Sequence, residues 1–129
     1  MRVSNIKYSD NCETYQIHGG EAISIDLQCG DSVEIVDVEG DQQCSVLAFD
    51  SKKSSVLDSL SWTTNPNNDS SKVSIDACSD MLKAILDHNQ IKTNNLNGVE
   101  LFSASNPADS RQSFNIDSDT LCVFDAKGG

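Results

Sequence analysis

Positive charge is scarce in this sequence, which has 9 Lys and Arg residues against 20 Asp and Glu and a formal net charge of -11. A surface of this sign repels the phosphates of nucleic acids and of anionic lipid headgroups. We therefore expect neither a nucleic acid nor a membrane as a partner.

Long apolar runs and secretion signals are also missing. No stretch of about 18 apolar residues occurs, and the N-terminal segment has only Arg2 and Lys7 as cations, with no apolar run of signal-peptide length after them. The five cysteines are an odd number, are widely spread and include no C-x-x-C pair. These features predict a cytoplasmic protein with reduced thiols.

Aromatic residues make up only 5% of the chain, so a core has to be built mainly from Ile, Leu and Val. At 129 residues the chain is long enough to bury such a core without a disulfide or a structural metal. We predict a single β-rich domain over residues 1–129, either free-standing or the N-terminal module of a longer chain.

The strand pattern is clearest in the first half of the chain. Apolar and polar residues alternate over Ala22–Leu27 and Ser32–Asp37, which is the period of strands with one wet face. The continuous apolar run Cys44–Phe49 indicates a strand buried on both faces. The residues predicted to face the core from the first two strands are Ile23, Ile25, Leu27, Val33 and Ile35.

Three later runs, Val99–Phe102, Ser113–Ile116 and Leu121–Phe124, also have strand composition. Together the runs predict a mainly β (α+β) fold, an antiparallel barrel or sandwich-like body of six to seven strands.

One amphipathic helix is predicted near residues 76–88, because its apolar residues recur at helical spacing and form one stripe. A short helical turn is expected around Val56, Leu57 and Leu60, and the Asn- and Ser-rich segment 62–72 is predicted to be a solvated loop. The apolar stripe of the predicted helix consists of Cys78, Met81, Leu82, Ile85 and Leu86.

Candidate chemistry depends on few residues. His18 and His88 are the only histidines, so any His-based general base or metal site has to use one of them. Cys78 lies close to the start of the predicted helix, where a thiol pKa can be lowered, and Cys44 opens the buried strand. We take these four residues as candidate ligand-binding residues, although each also has an ordinary structural role.

No metal-ligand motif and no glycine-rich phosphate loop occurs, so neither a metal nor a nucleotide cofactor is predicted for this domain. Paired carboxylates near strand ends could do acid and base work, but turn-forming aspartates are commoner. The aspartates in question are Asp26, Asp31, Asp37, Asp41 and Asp50.

The segment from Gly19 to Phe49 resembles the opening of the urea carboxylase-associated protein family. Residues 30–37 match a Gly-x-x-hydrophobic-x-hydrophobic-x-Asp strand, residues 40–42 match Gly-x-Gln, and residues 46–49 match a strand that closes on Phe. Leu60–Thr63, Asn106–Pro107 and Ile116–Phe124 are similar to later segments of that family, in the same order.

Full members of that family carry an Asp-x-x-x-His-Asp segment and later cysteines that look like a metal-binding group. This chain has Ile75–Asp80 at that place, without a histidine, so the hydrolase or deiminase chemistry does not carry over. The chain is similar instead to a shortened form of the domain, placed ahead of a glycine-cleavage T-protein, the folate-dependent aminomethyltransferase.

The resemblance implies a non-catalytic accessory domain of a T-protein-like aminomethyltransferase, acting in cis or in trans, with folate bound in the adjoining domain. One alternative is a free-standing metal-dependent hydrolase or deiminase of urea- or guanidine-type amine metabolism. Another is a homo-oligomeric small-molecule binding protein whose sheet edges pair across a two-fold axis.

Overall fold

The chain forms ten strands and one helix in a computed structural model that describes residues 1–6, 12–57, 60–64, 71–72 (backbone only), 80–92, 96–102 and 105–126. The helix is α1 (Asp80–His88). The strands are β1 (Arg2–Ile6), β2 (Cys12–Gln16), β3 (Ala22–Leu27), β4 (Ser32–Asp37), β5 (Cys44–Phe49), β6 (Leu60–Trp62), β7 (Ser71–Lys72), β8 (Asn97–Phe102), β9 (Ser110–Ile116) and β10 (Thr120–Ala126).

The strands form two antiparallel sheets that pack face to face. Sheet A has the order β2-β1-β4-β9-β6, and sheet B has the order β3-β10-β5-β8-β7. The predicted mainly β, sandwich-like architecture is confirmed, although the described residues hold ten strands where six to seven were expected.

The connectivity of β3 to β6 and of β8 to β10 is that of a jelly roll, whereas β7 pairs with β8 at the edge of sheet B. Successive strands β3 to β6 alternate between sheet B and sheet A, and the returning strands β9 and β10 insert between them. The β1–β2 hairpin extends sheet A beyond this framework by pairing with β4. Because β2 and β3 are terminal strands of their sheets, each has one edge without a partner strand among the described residues.

The main core lies between the two sheets. Val33 and Ile35 of sheet A and Ile25 and Leu27 of sheet B are buried there, as their alternation predicts. Phe114 of β9 anchors this layer, since its ring centroid lies 4.9 Å from that of Trp62 and 6.4 Å from that of Phe124.

A second, smaller core covers the outer face of sheet B. Leu82 and Leu86 of α1 pack there against Leu47 and Phe49 of β5. All six residues of β5 are buried, which confirms the prediction of a strand buried on both faces. Sheet B therefore has apolar packing on two sides.

Several local predictions differ from the structure. The described helix begins at Asp80, and Met81 is 43% exposed, although its spacing predicts a place on the apolar stripe. Residues 76–79 lie outside the described residues. The expected helical turn around Val56 and Leu57 is wrong at Leu60, which begins β6, because Leu60 pairs with Ile116 at the edge of sheet A.

The segment 62–72 is also not a loop throughout. Trp62 belongs to β6 and packs edge to face on Phe114, and residues 71–72 form β7. Residues 65–70 lie outside the described residues. The polar stretch 89–97 contributes the buried Ile91 and Leu96 to the second core.

Candidate ligand pocket and the predicted site residues

A concave pocket of about 310 Å³ lies at one end of the sandwich, where β3 and β5 end and β10 begins. Because β10 pairs antiparallel with both β3 and β5, the start of β10 lies beside the ends of β3 and β5 at the same end of sheet B. The apolar part of the lining comes from Leu27, Phe49 and Leu121. The polar part of the lining includes Asp26, Asp50, Asp119, Lys53 and Asn89.

Asp50 is held by a tight turn at the end of β5. Its Oδ1 accepts the backbone N–H groups of Lys52 and Ser54, at 2.9 and 3.0 Å. This turn also fixes Lys53, whose backbone has a positive φ of 66°. The carboxylate and the lysine at this rim are therefore positioned by the same five-residue turn.

Asp119 and Asn89 are positioned by contacts to other segments. Asp119 Oδ1 accepts the backbone N–H of Cys29 at 3.0 Å, and this bond ties the β9–β10 turn to the β3–β4 turn. Asn89 follows α1 and donates its side-chain amide to the carbonyl of Ile85 at 2.8 Å. The pocket thus draws on turns of the sheet and on the end of the helix.

The electrostatics of the pocket combine three carboxylates with one ammonium group. In the described part of the chain neither Asp26 nor Lys53 forms an ion pair, so both charges are available to a bound molecule. The volume of the pocket, about 310 Å³, is at the lower end of the range for ligand pockets, which begins at about 300 Å³. The arrangement suits a small molecule that carries an amine.

His18 lies at the opposite end of the sandwich, in the turn between β2 and β3. Glu21 Oε1 accepts the backbone N–H of His18 at 2.7 Å and lies 2.9 Å from its ring Nδ1. Gly20 permits this turn through a φ of 89°, and the N–H of Glu21 donates to the carbonyl of His18. The pKa of Glu21 is lowered, mainly by the hydrogen bond from the backbone N–H of His18 and to a smaller extent by the contact with the His18 ring.

The cysteines divide into two groups. Cys44 and Cys122 are fully buried in the main core, and burial raises the pKa of the Cys122 thiol to about 12. Cys12 and Cys29 are exposed and free. The candidate Cys78 lies outside the described residues.

The structure does not bring the predicted site residues together. His88 is the exposed last residue of α1, beside the pocket residue Asn89, whereas His18 is in the β2–β3 turn and Cys44 is enclosed by the main core. Within the described ranges, no group of three or more His, Cys, Asp or Glu side chains is placed to hold a metal ion.

The strand-end aspartates have separate roles. Asp37 accepts the backbone N–H groups of Gly40 and Gln42, both at 3.1 Å, and so closes the β4–β5 turn. Asp31 accepts the N–H of Gln28 at 3.0 Å in the β3–β4 turn. Only Asp26 and Asp50 of the five lie at the pocket.

Sequence reasoning missed Lys53, Asn89 and Asp119 as pocket residues. Lys53 follows β5, Asn89 follows α1 and Asp119 follows β9. These residues come close together only in the folded sandwich, in which β10 lies between β3 and β5. Asp119 could have been noticed because it lies in a turn between two strongly patterned strands. Lys53 and Asn89 carry no signal at the level of the sequence.

Comparisons with protein families, curated proteins and solved structures give no match for this chain. Among the described residues, no helix is long and apolar enough to cross a membrane.

Proposed function

We propose that the chain is an accessory domain that binds a small amine-bearing molecule for a T-protein-like, folate-dependent aminomethyltransferase. The observation that carries the proposal is the acidic pocket with a single lysine at its rim. A primary amine or ammonium group is favoured by its carboxylates, and a carboxylate on the same ligand would be favoured by Lys53. Small amino acids combine these two groups.

The family resemblance supports the same direction. The segment 19–49, which resembles the urea carboxylase-associated family, forms β3, β4 and β5, and two of these strands end at the pocket. Asp26 and Phe49 lie within that segment. The domain itself supplies no cofactor in this proposal, and folate is bound by the partner aminomethyltransferase domain, in cis or in trans.

A cytoplasmic location belongs to the same proposal. The exposed thiols of Cys12 and Cys29 are unpaired, which is the usual state of cysteines in a reducing compartment. The net charge of -11 favours a soluble protein that avoids nucleic acids and anionic membranes.

Ligand binding is tested by calorimetric titration with glycine and with methylamine, using acetate as the ligand that lacks an amine. We expect both amines to bind and acetate not to bind. Asp26→Asn should weaken binding about tenfold, since it removes one charge-assisted contact from the pocket. Asp109→Asn is the matched control, because Asp109 is an exposed aspartate at the opposite end of the sandwich.

Two results would contradict the ligand proposal. One is equal affinity for acetate and glycine, and the other is equal weakening by Asp26→Asn and Asp109→Asn. The association with the enzyme is tested separately, by sequencing the gene beyond Gly129 and by co-purification with a T-protein-like aminomethyltransferase. A protein that neither continues into such a domain nor binds one would overturn that part of the proposal.

A further inference from the structure

The two sheets end in four terminal strands, which differ in how they are protected from pairing with another chain. The strands β6 and β7 are only 3 and 2 residues long, and a short edge strand gives a partner few groups to pair with. The helix α1 lies beside β3, and three of the six residues of that strand are buried. Among the described residues, the remaining terminal strand, β2, has neither form of protection.

The strand β2 is regular and accessible. Its five residues pair with β1 in a continuous register without a bulge, and all of them are exposed except the half-buried Tyr15. The strand contains no proline and no lysine, which are residues that block pairing at the edges of natural sheets. The edge of β2 is therefore open to a further strand.

The hydrogen bonds between β1 and β2 show which backbone groups point to the open edge. Met1 and Ile17 exchange both of their backbone hydrogen bonds, at 3.0 and 2.9 Å. Bonded and non-bonded pairs alternate along an antiparallel ladder, so the opposed pair Ser4 and Thr14 is non-bonded. Their side-chain hydroxyls lie 3.3 Å apart, in agreement with the closer approach of such pairs. By the same alternation, the residues of β2 whose N–H and C=O groups point to the open edge are Cys12, Thr14 and Gln16.

These outward backbone groups are complementary to those of a second copy of the strand. When two β2 strands run antiparallel about a two-fold axis at Thr14, Thr14 lies opposite Thr14, and Cys12 lies opposite Gln16. Each outward residue then meets an outward residue, and about six backbone hydrogen bonds form. An axis at Glu13 or at Tyr15 would pair only two of the three outward residues. The register centred on Thr14 is therefore the favoured one.

The charge of the chain does not oppose this pairing, because the excess of acids lies outside the first two strands. Residues 1–17 contain two cations, Arg2 and Lys7, and two anions, Asp10 and Glu13, so their side-chain charges balance. In the register centred on Thr14, Glu13 lies opposite Tyr15 of the second copy, so that like charges are not directly opposed. A basic peptide, in contrast, would find no excess of negative charge at this edge.

We propose that the β2 edge binds a second copy of this chain, so that two five-stranded sheets A join into one ten-stranded sheet across a two-fold axis at Thr14. The acidic pocket lies on sheet B and is not part of this edge, so the dimer does not rest on the proposed function. A single pair of strands forms a small interface. The dimer is therefore weak, with an expected dissociation constant on the order of 10–100 μM.

Sedimentation equilibrium tests the dimer at protein concentrations from about 5 μM to about 1 mM, which lie on either side of the expected constant. Thr14→Lys places two like charges directly opposite each other and should weaken the dimer at least about tenfold. Ser24→Lys is the matched control, because Ser24 is an exposed residue in the middle of β3, the other long edge strand. It should leave the dissociation constant unchanged.

Thr14→Pro tests the backbone contribution. Proline removes the outward N–H of Thr14 but none of the hydrogen bonds between β1 and β2, since the N–H of Thr14 does not take part in them. We expect the folded variant to be monomeric over the whole concentration range. If circular dichroism shows that Thr14→Pro does not fold, the comparison of Thr14→Lys with Ser24→Lys decides.

A disulfide tests the register. Directly opposed residues of a bonded pair have Cα atoms about 5.5 Å apart, which suits a disulfide, so Thr14→Cys should give a covalent dimer linked through position 14 under mild oxidation. The natural Cys12 thiols of the two copies would lie about 14 Å apart and should not link within the dimer. Ser24→Cys is the control for random collision, and mass spectrometry identifies the linked residues.

Three results would overturn the proposal. The first is a monomer at every concentration, and the second is a dimer that Thr14→Lys weakens no more than Ser24→Lys does. The third is cross-linking of Ser24→Cys as fast as that of Thr14→Cys. Selective cross-linking at position 14, together with selective weakening by Thr14→Lys, would establish the β2 edge as the interface.

Discussion

Sheets A and B are of similar size but differ in what their faces contact. Sheet B packs on sheet A with one face, and much of its other face is covered by α1, so that its strands β5 and β10 are almost wholly buried. Within the described ranges, sheet A packs on one face only, and that face includes the buried polar side chains of Asn5 and Gln112. The comparison indicates that sheet B carries more of the stability, whereas sheet A has polar side chains on both of its faces.

The largest expected contrast is in thiol reactivity. Cys122 is in the middle of sheet B, and its pKa is raised to about 12 because burial disfavours the thiolate. The thiol therefore stays neutral as the pH rises from 7 to 9. We expect a thiol reagent at pH 8 to label Cys122 at least about a thousandfold more slowly than Cys12, which is exposed at the edge of sheet A.

Peptide mapping by mass spectrometry after timed labelling assigns each rate to its cysteine. In denaturant the two thiols should react at similar rates, which is the internal control. Fast labelling of Cys122 in the native protein would show that sheet B opens readily and would reverse the comparison.

Truncation in the main core should have the next largest effect. Phe124→Ala removes a fully buried ring that stacks on Phe114, and we expect a loss of about 4 kcal/mol in the free energy of unfolding. Urea denaturation monitored by circular dichroism measures this change. Phe124→Leu is the conservative control and should cost roughly 1–1.5 kcal/mol.

Leu47→Ala tests the second core. Leu47 is fully buried on the outer face of sheet B in the cluster that includes Leu82 and Leu86, so its truncation should cost about 3 kcal/mol. The same truncation on a solvated face would cost far less. A loss below about 1 kcal/mol would mean that the helix does not protect this face in solution.

The smallest effect is expected on the outer face of sheet A. Arg111 and Glu34 form an ion pair there at 3.2 Å, and their side chains are 53% and 40% exposed. Water screens such a pair, so a double-mutant cycle with Arg111→Ala and Glu34→Ala should give a coupling of only about 0.2–0.5 kcal/mol. Salt should reduce it further, and a coupling above about 1 kcal/mol would show that this face is less solvated than the structure indicates.

The difference between the sheets also explains which parts of the fold could be predicted from the sequence. Burial on both faces gives β5 a continuous apolar run, and one wet face gives β3 and β4 their alternation, so these strands were recognisable. The strand β1 was missed because Asn5 occupies an inward-facing position, where the pattern requires an apolar residue. A polar group in the core thus conceals a strand from pattern analysis.

The remaining errors come from contacts between distant segments. Trp62 lies in an apparently polar stretch. Its strand forms because β6 pairs with the edge of β9 and Trp62 packs on Phe114. Met81 fits the helical stripe, yet the direction from which sheet B approaches α1 leaves it exposed. The pocket could not be predicted for the same reason, because Asp26, Asp50 and Asp119 meet only through the order of strands in sheet B.

The position of β10 has a consequence for how the chain acquires its structure during synthesis. This strand comes last among the described strands, yet it lies between β3 and β5 and provides the hydrogen-bonding partner of both. During synthesis, the edges of β3 and β5 that pair with β10 therefore remain unpaired until Ala126 has left the ribosomal exit tunnel. Such long-range pairing slows folding and exposes apolar strands in the meantime, so nascent chains shortened before β10 should depend on chaperones to stay soluble.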